Sequence, residues 1–358
     1  MKTLLKWVWL GCLCGVLTAG CAGAPDKGAP SPPTPAAVAV DDGIYAAIDR
    51  HALEAPPSVE KSLDRLAAYL VRPARNDAEK ARAIYRWIGD NIAYDVQPKI
   101  FSGRSSQAGA EQTLKTRKGL CDGYASLFHG LARRAGLEAR RIRGYSKGHS
   151  YYPGKRFDDV NHEWIAVKID GDWRLMDPTW GAGIIEGGRF LKNFDATYFL
   201  TPPAYFLFDH LPEDPDWQLV RQKMKRTDFE AQTYPGRANL RAFYNIGIPG
   251  EDLRKQMSRK DFTDLPEVYD YEDQDQVIRI NKAPLNGRLE SGEKYSFSLD
   301  APGVTGAVLW NEGRWHDLEK NGGRYQTTYR PKPGVLKLSV QFPGKADTFF
   351  PILLYSVN

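Results

Sequence analysis

An apolar run, Trp7 to Gly20, opens the chain behind Lys2 and Lys6. Its 14 residues fall short of the roughly 20 that a helix needs to cross a bilayer, so it reads as an export signal over residues 1–20. Residues 21–41 lose all hydrophobic rhythm and carry Pro25, Pro30, Pro32, Pro33 and Pro35 among Ala, Gly and Ser. Such a segment stays extended, a tether able to hold the folded body up to about 60 Å from its anchor. Helical spacing then sets in. Val59, Leu63, Leu66 and Leu70 share one helix face. Asn76-Asp77-Ala78-Glu79 has the cap and the acidic third position of a capping box and leads into Ala81, Ile84, Ile88 and Ile92. Residues 95–118 are polar and predict a loop, after which Leu120, Tyr124, Leu127, Phe128, Leu131 and Ala135 predict a helix closed by Gly136.

The period then changes from helical to alternating. Val160 to Ile169 and Trp173 to Met176 predict two strands joined at Asp170-Gly171, a strong hairpin signal. From about Gln276 short alternating runs, among them Val277–Ile280, Tyr295–Leu299, Ala307–Trp310 and Val335–Phe342, are separated by Gly, Pro and Asn turns. They predict a small β-sandwich in which Trp310 and Trp315 are core aromatics. The expected organisation is an α+β unit over 42–265 followed by an immunoglobulin-like sandwich over 270–358.

Composition narrows the function. With 42% hydrophobic and 26% charged residues and a formal charge of +5, the chain has no nucleic-acid footprint. The densest basic cluster, Arg140, Arg141 and Arg143, reads as a solvated edge. Of four cysteines, Cys12, Cys14 and Cys21 lie in or close the leader, and Cys121 stands alone in the body. A single thiol there forms neither an intramolecular disulfide nor a multi-cysteine zinc site. An unpaired thiol in an exported protein is also an oxidation liability, which invites a chemical role. No phosphate-binding glycine loop or His-Glu-x-x-His motif occurs, so no metal or organic cofactor is implied.

Cys121 falls at the predicted helix start, where free N–H groups and the helix dipole favour thiolate and can hold an oxyanion. Of the six histidines, His129 sits on the wrong turn of the same helix to reach the thiol. His162 lies on the strand before Asp170-Gly171. A two-residue turn pairs Trp164 with Asp177 and His162 with Thr179, which puts Asp177 and His162 on one face within diagonal reach. Asp177 could then fix the imidazole tautomer for a nucleophile–base–orienter triad.

Three stretches carry a family resemblance: Gly119-Leu120-Cys121-Asp122-Gly123-Tyr124-Ala125, Asn161-His162-Glu163-Trp164, and Asp172 through Gly181 with Asp177-Pro178-Thr179-Trp180 at its centre. Their order and their spacings of 41 and 15 residues resemble the core motifs of the transglutaminase-like superfamily. Tyr198-Phe199-Leu200-Thr201-Pro202, His210 to Asp214 and Trp217-Gln218-Leu219 resemble the kyphoscoliosis-peptidase-like branch. The resemblance implies a papain-like fold and thiol acyl transfer, with Cys121, His162 and Asp177 in the matching catalytic positions. It also implies an oxyanion side chain ahead of the Cys121 helix, for which Gln107 is the candidate and Gln112 the reserve. His210 is either a supporting group or a surface histidine.

Leu17-Thr18-Ala19-Gly20-Cys21 resembles a bacterial lipobox, implying lipid on Cys21, and Ala22 implies outer-membrane sorting toward the periplasm. The expected partners are a membrane, through that lipid, and protein or peptide substrates, peptidoglycan peptides included. The expected chemistry is amide hydrolysis, with cross-linking of glutamine to amines as the alternative acyl transfer and a non-catalytic envelope scaffold as the opposing class.

Overall fold

The computed structural model describes residues 42–96, 109–232, 234–236, 240–243, 246–257, 259, 262, 264–269, 278–345 and 348–358. Cys21, the leader and tether, and Gln107 lie outside the described residues. No helix among the described residues is long and apolar enough to cross a membrane.

The helical layer forms where the 3.6-residue period is clearest. Helix α1 (Ala46–Leu53), α2 (Leu63–Leu70) and α3 (Asp77–Asn91) bury Leu63, Leu66, Leu70, Ala81, Ile84 and Ile88 in one core. Asn76 caps α3 by accepting the Glu79 amide at 2.9 Å. Glu79 departs from the reciprocal box: its carboxylate accepts the Arg75 amide at 2.7 Å and pairs with the Arg75 guanidinium. Strand β1 (Ala93–Tyr94) runs parallel to β2 (Lys118–Gly119). Between them α4 (Ala110–Thr116) corrects the expected loop over 95–118. Leu114 is the one strongly apolar residue of α4, so the segment shows little periodicity, yet Thr113 and Leu114 are buried. Helix α5 (Cys121–Arg134) begins at the thiol and is followed by Gly136 at φ 78°.

An antiparallel sheet packs on α5 in the order β5-β4-β3-β8, formed by β3 (Ala139–Ser146), β4 (His162–Ile169), β5 (Asp172–Met176) and β8 (His210–Pro212). Asp170 and Gly171 both take positive φ, 51° and 89°, as a two-residue hairpin turn requires. Pairing of Ile165 with Met176 and Ile169 with Asp172 is the expected register. The basic cluster corrects the reading of an edge. It lies on β3, an inner strand bonded to β4 and β8, with Arg141 and Arg143 exposed and Ile142 buried between them. A small hairpin, β6 (Gly183–Glu186) and β7 (Arg189–Lys192), intervenes before α6 (Pro203–Phe206).

Beyond α7 (Arg226–Ala231) and α8 (Gly250–Met257), two sheets face each other. One has the order β10-β12-β16-β15, from β10 (Arg279–Lys282), β12 (Tyr295–Asp300), β15 (Glu319–Asn321) and β16 (Arg324–Tyr329). The other runs β11-β18-β17-β13-β14, from β11 (Arg288–Leu289), β13 (Gly306–Asn311), β14 (Arg314–Asp317), β17 (Gly334–Gln341) and β18 (Phe350–Val357), with β9 (Glu267–Val268) on β18. Phe297, Leu299, Leu309, Leu336, Leu338 and Leu353 fill the space between them. Trp310 and Trp315 are not core residues: they form a cross-strand pair on β13 and β14, half-buried and 59% exposed respectively. Tyr205, Phe208, Leu240, Phe243, Leu253 and Met257 belong to the sandwich core, not to the helical one.

Candidate active site

The site assembles where the N-terminus of α5 meets the face of the sheet. The chain reaches Cys121 from β2 through Leu120, whose extended backbone (φ −88°, ψ −174°) turns straight into helix. Gly119 runs close under α4, since a Cβ there would lie 3.3 Å from Thr113 Cγ2. The free thiol is half-exposed. It lies close enough to His162 to be among the influences that raise the His162 pKa.

His162 begins β4, and Asp177 follows the last residue of β5, so the hairpin register sets both on one face. His162 Nε2 lies 2.6 Å from Asp177 Oδ2. With Nε2 so engaged, Nδ1 is the nitrogen left to serve the thiol. The aspartate is fully buried. Its Oδ1 accepts the amides of Thr179 at 2.7 Å and Trp180 at 3.1 Å, while Oδ2 takes His162 and also His210 Nε2 at 3.0 Å. Tyr85 of α3 donates to the Asp177 and Asp195 carbonyls at 3.3 and 3.0 Å, bracing the turn from beneath. Gly181 is required there, because a Cβ would come within 1.9 Å of the Tyr85 hydroxyl.

The electrostatics follow from this packing. Burial works against charge on both His162 and Asp177 and is the largest single influence on each. For His162 it is outweighed by the Asp177 charge and hydrogen bond together with Cys121, leaving the pKa raised to about 9. For Asp177 it is outweighed by His162 and His210, which hold the carboxyl well below the usual range. An ionised Asp177 carries no proton, so the hydrogens in both imidazole contacts belong to the histidines.

His210 is fully buried, which excludes the surface reading. Its Nδ1 lies 2.6 Å from Asp209 Oδ1, and Asp209 Oδ2 accepts the Tyr198 hydroxyl at 2.6 Å. Sequence reasoning missed Asp209 and Tyr198. The adjacent Asp209-His210 pair was the available signal, but its meaning depends on β8 joining β3 across the sheet. Gln112 is exposed on α4. The donors of His162, Asp177 and His210 lie within 4.8 Å of one another and could in principle ligate a metal. At 2.6 and 3.0 Å the contacts of Asp177 with His162 and His210 have hydrogen-bond lengths.

Residues 64–178 match the family model described as the transglutaminase-like superfamily. Kyphoscoliosis peptidase of Mus musculus is 30% identical to this chain over 305 residues, covering 84% of it and 41% of that protein. The Homo sapiens kyphoscoliosis peptidase matches with the same identity and coverage. The chain therefore spans about two fifths of the length of these curated relatives. Among solved structures, the periplasmic domain of TgpA from Pseudomonas aeruginosa is similar at 23% identity and a TM-score of 0.27, covering 38% of this chain and 48% of that one. Residues 64–178, which hold Cys121, His162 and Asp177, therefore form a transglutaminase-like superfamily domain.

Proposed function

We propose that the protein is a thiol enzyme that hydrolyses peptide or protein amides. The observation that carries this reading is Cys121 at the start of α5, near enough to His162 to affect it, with the His162 imidazole 2.6 Å from Asp177. Cys121 transfers its proton to His162, and the thiolate attacks the carbonyl carbon. The carbonyl electron pair moves onto oxygen, where the amides at the α5 N-terminus face it. Collapse breaks the C–N bond as His162 protonates the leaving amine, leaving a thioester on Cys121. Water then attacks the thioester, His162 takes its proton, and the carboxylic acid departs with the thiolate restored. Asp177 holds the imidazole in one tautomer throughout and stabilises its charged form.

Two features favour water as acceptor over an amine. The thiol is half-exposed rather than enclosed, and the similar mouse and human proteins are named peptidases. The lipobox-like Cys21 and the proline-rich tether favour a place for this activity at a bacterial envelope surface, where proteins and peptidoglycan peptides would be the amides to hand. A peptide-library digest with and without added amine, comparing wild type with Cys121→Ala, tests the chemistry. New carboxyl termini that depend on Cys121 support hydrolysis. Amine incorporation in their place would make the enzyme a transferase, and no Cys121-dependent product would make it a scaffold. Metabolic palmitate labelling, lost in Cys21→Ser, tests the anchor.

A further inference from the structure

Behind the triad stands a second set of buried polar groups that take no direct part in the acyl transfer. Asp177 Oδ2 is shared by two imidazoles, His162 at 2.6 Å and His210 at 3.0 Å. His210 is itself held at both ring nitrogens, by Asp177 through Nε2 and by Asp209 through Nδ1 at 2.6 Å. Asp209 is held from its other oxygen by Tyr198. His210, Asp177 and Asp209 are all 0% exposed. The His210 ring is stacked on Phe206 at 4.2 Å and flanked by Trp180, Trp164 and Tyr198.

This arrangement fixes a protonation state. A neutral imidazole would turn one bare nitrogen lone pair toward a carboxylate oxygen at 3.0 Å or less, with the ring walled in by aromatic side chains and the repulsion unrelieved. With both nitrogens protonated, each contact becomes a charge-assisted hydrogen bond. The titratable groups around the ring are Asp177, Asp209, His162 and Tyr198, with Cys121 beyond His162 and Lys147 close to Asp209.

We infer that His210 is a positioning residue that serves the triad as a permanently charged imidazolium, moderating how tightly Asp177 holds the proton of His162. Two effects act in the same direction. The Nε2–H of His210 takes a share of the Oδ2 charge that would otherwise go wholly to His162. Its positive ring, with its centroid 5.4 Å from that of His162, also opposes a second positive ring there. An imidazolium gripped by an unshared buried carboxylate would be a poor proton donor to a leaving amine, and the second cation eases that grip. The inference rests on the Cys121–His162–Asp177 reading. It differs from a purely structural role, in which His210 would only fasten β8 to the sheet and removing its charge would leave the pH behaviour of Cys121 unmoved.

The charge can be removed while the hydrogen bonds are kept. In Asp209→Asn the amide can donate to Nδ1, and a neutral ring still donates from Nε2 to Asp177. In the double variant Asp209→Asn/His210→Gln a neutral donor faces Asp177, and the imidazolium and its Asp209 counter-charge are removed together. The readouts are imidazole ¹⁵N–¹H spectra of the wild-type protein from pH 6 to 9 and the pH profile of Cys121 alkylation by iodoacetamide in all three proteins. Both ring nitrogens of His210 are expected to stay protonated across that range. The alkaline limb of the profile, which reports loss of the His162 proton, should move up by about one pH unit in both variants. On a cleavable peptide, kcat should fall about tenfold with KM unchanged. A neutral His210 at pH 8, or an unmoved alkaline limb in a folded variant, overturns the inference. Wild-type alkylation no faster than that of a free thiol overturns the triad reading itself, whatever the state of His210.

Discussion

The Asp177 carboxylate accepts hydrogen bonds from two amides and two imidazoles, which is all that its oxygens can take. Replacing it with Asn keeps the volume but loses the charge and puts an N–H against one of those donors. Asp177→Asn is expected to lower kcat by about 10²- to 10⁴-fold, read on a cleavable peptide, with the fold retained. The same residues set a pH dependence of stability. His162 has its pKa raised in the folded state to about 9, against about 6.5 in an unfolded chain. Its contribution is therefore complete below about pH 6.5 and is lost as pH rises through 9. Asp177 has a depressed pKa, so its contribution is complete above about pH 3.9 and is lost as pH falls further, through its folded value. Urea midpoints measured across pH should decline on the alkaline side in wild type and not in His162→Ala; parallel curves would contradict this. At this scale the closeness of His162 and Asp177 is legible because a two-residue hairpin sets it, and the place of Cys121 because a helix starts there. The role of His210 leaves no mark in the sequence, since its partner Asp177 lies 33 residues away, just beyond β5.

Strand β3 is the element that lets these residues converge. Gly144 pairs with His162 on one side and Pro212 on the other, and Ser146 pairs with His210, so the two histidines lie on the strands either side of β3. With no side chain at Gly144, the β8 backbone and the Trp164 ring can pack directly against the strand. A Cβ there would fall 2.2 Å from the Leu211 carbonyl oxygen and 2.5 Å from the Trp164 ring. Gly144→Ala is expected to displace β8 and to destabilise the protein by about 1–3 kcal/mol. Activity should fall by more than it does in Gly136→Ala at the end of α5, where a Cβ meets nothing nearby but the left-handed backbone is strained. Thermal melts and peptide cleavage on both variants check this; equal losses would argue against a special role for Gly144. The sequence offered little warning. The Arg140, Arg141 and Arg143 cluster hid a strand whose alternation is basic outside and Ile142 and Gly144 inside, and α4 was hidden by its single strong apolar residue.

At the level of the molecule, the break in the hydrophobic pattern near Gln276 does not coincide with a break between the cores. Leu240, Phe243, Leu253 and Met257 lie well before it, yet pack with Phe297, Leu309 and Leu353 of the sandwich. Tyr205 and Phe208, immediately before Asp209 and His210 in the chain, belong to the same core. The sandwich thus supports the segment that carries His210. Deletion of residues 279–358 is expected to expose these side chains and to yield an aggregating protein that does not label rapidly at Cys121. A soluble 42–265 fragment with a cooperative melt and wild-type labelling would contradict that. The sandwich itself was legible in the alternation of its strands. Its reach into the preceding helices was not, because core sharing is set by tertiary packing and leaves no periodic mark.

The alkylation rate of Cys121 as a function of pH tests most directly whether His162 activates the thiol. A free thiol with a pKa near 8.5 is well under 1% ionised at pH 6. Wild-type Cys121 is expected to react with iodoacetamide at pH 6 at least tenfold faster than a free thiol, and His162→Ala is expected to abolish that advantage. Labelling at pH 6 no faster than a free thiol, and unchanged in His162→Ala, would contradict the account.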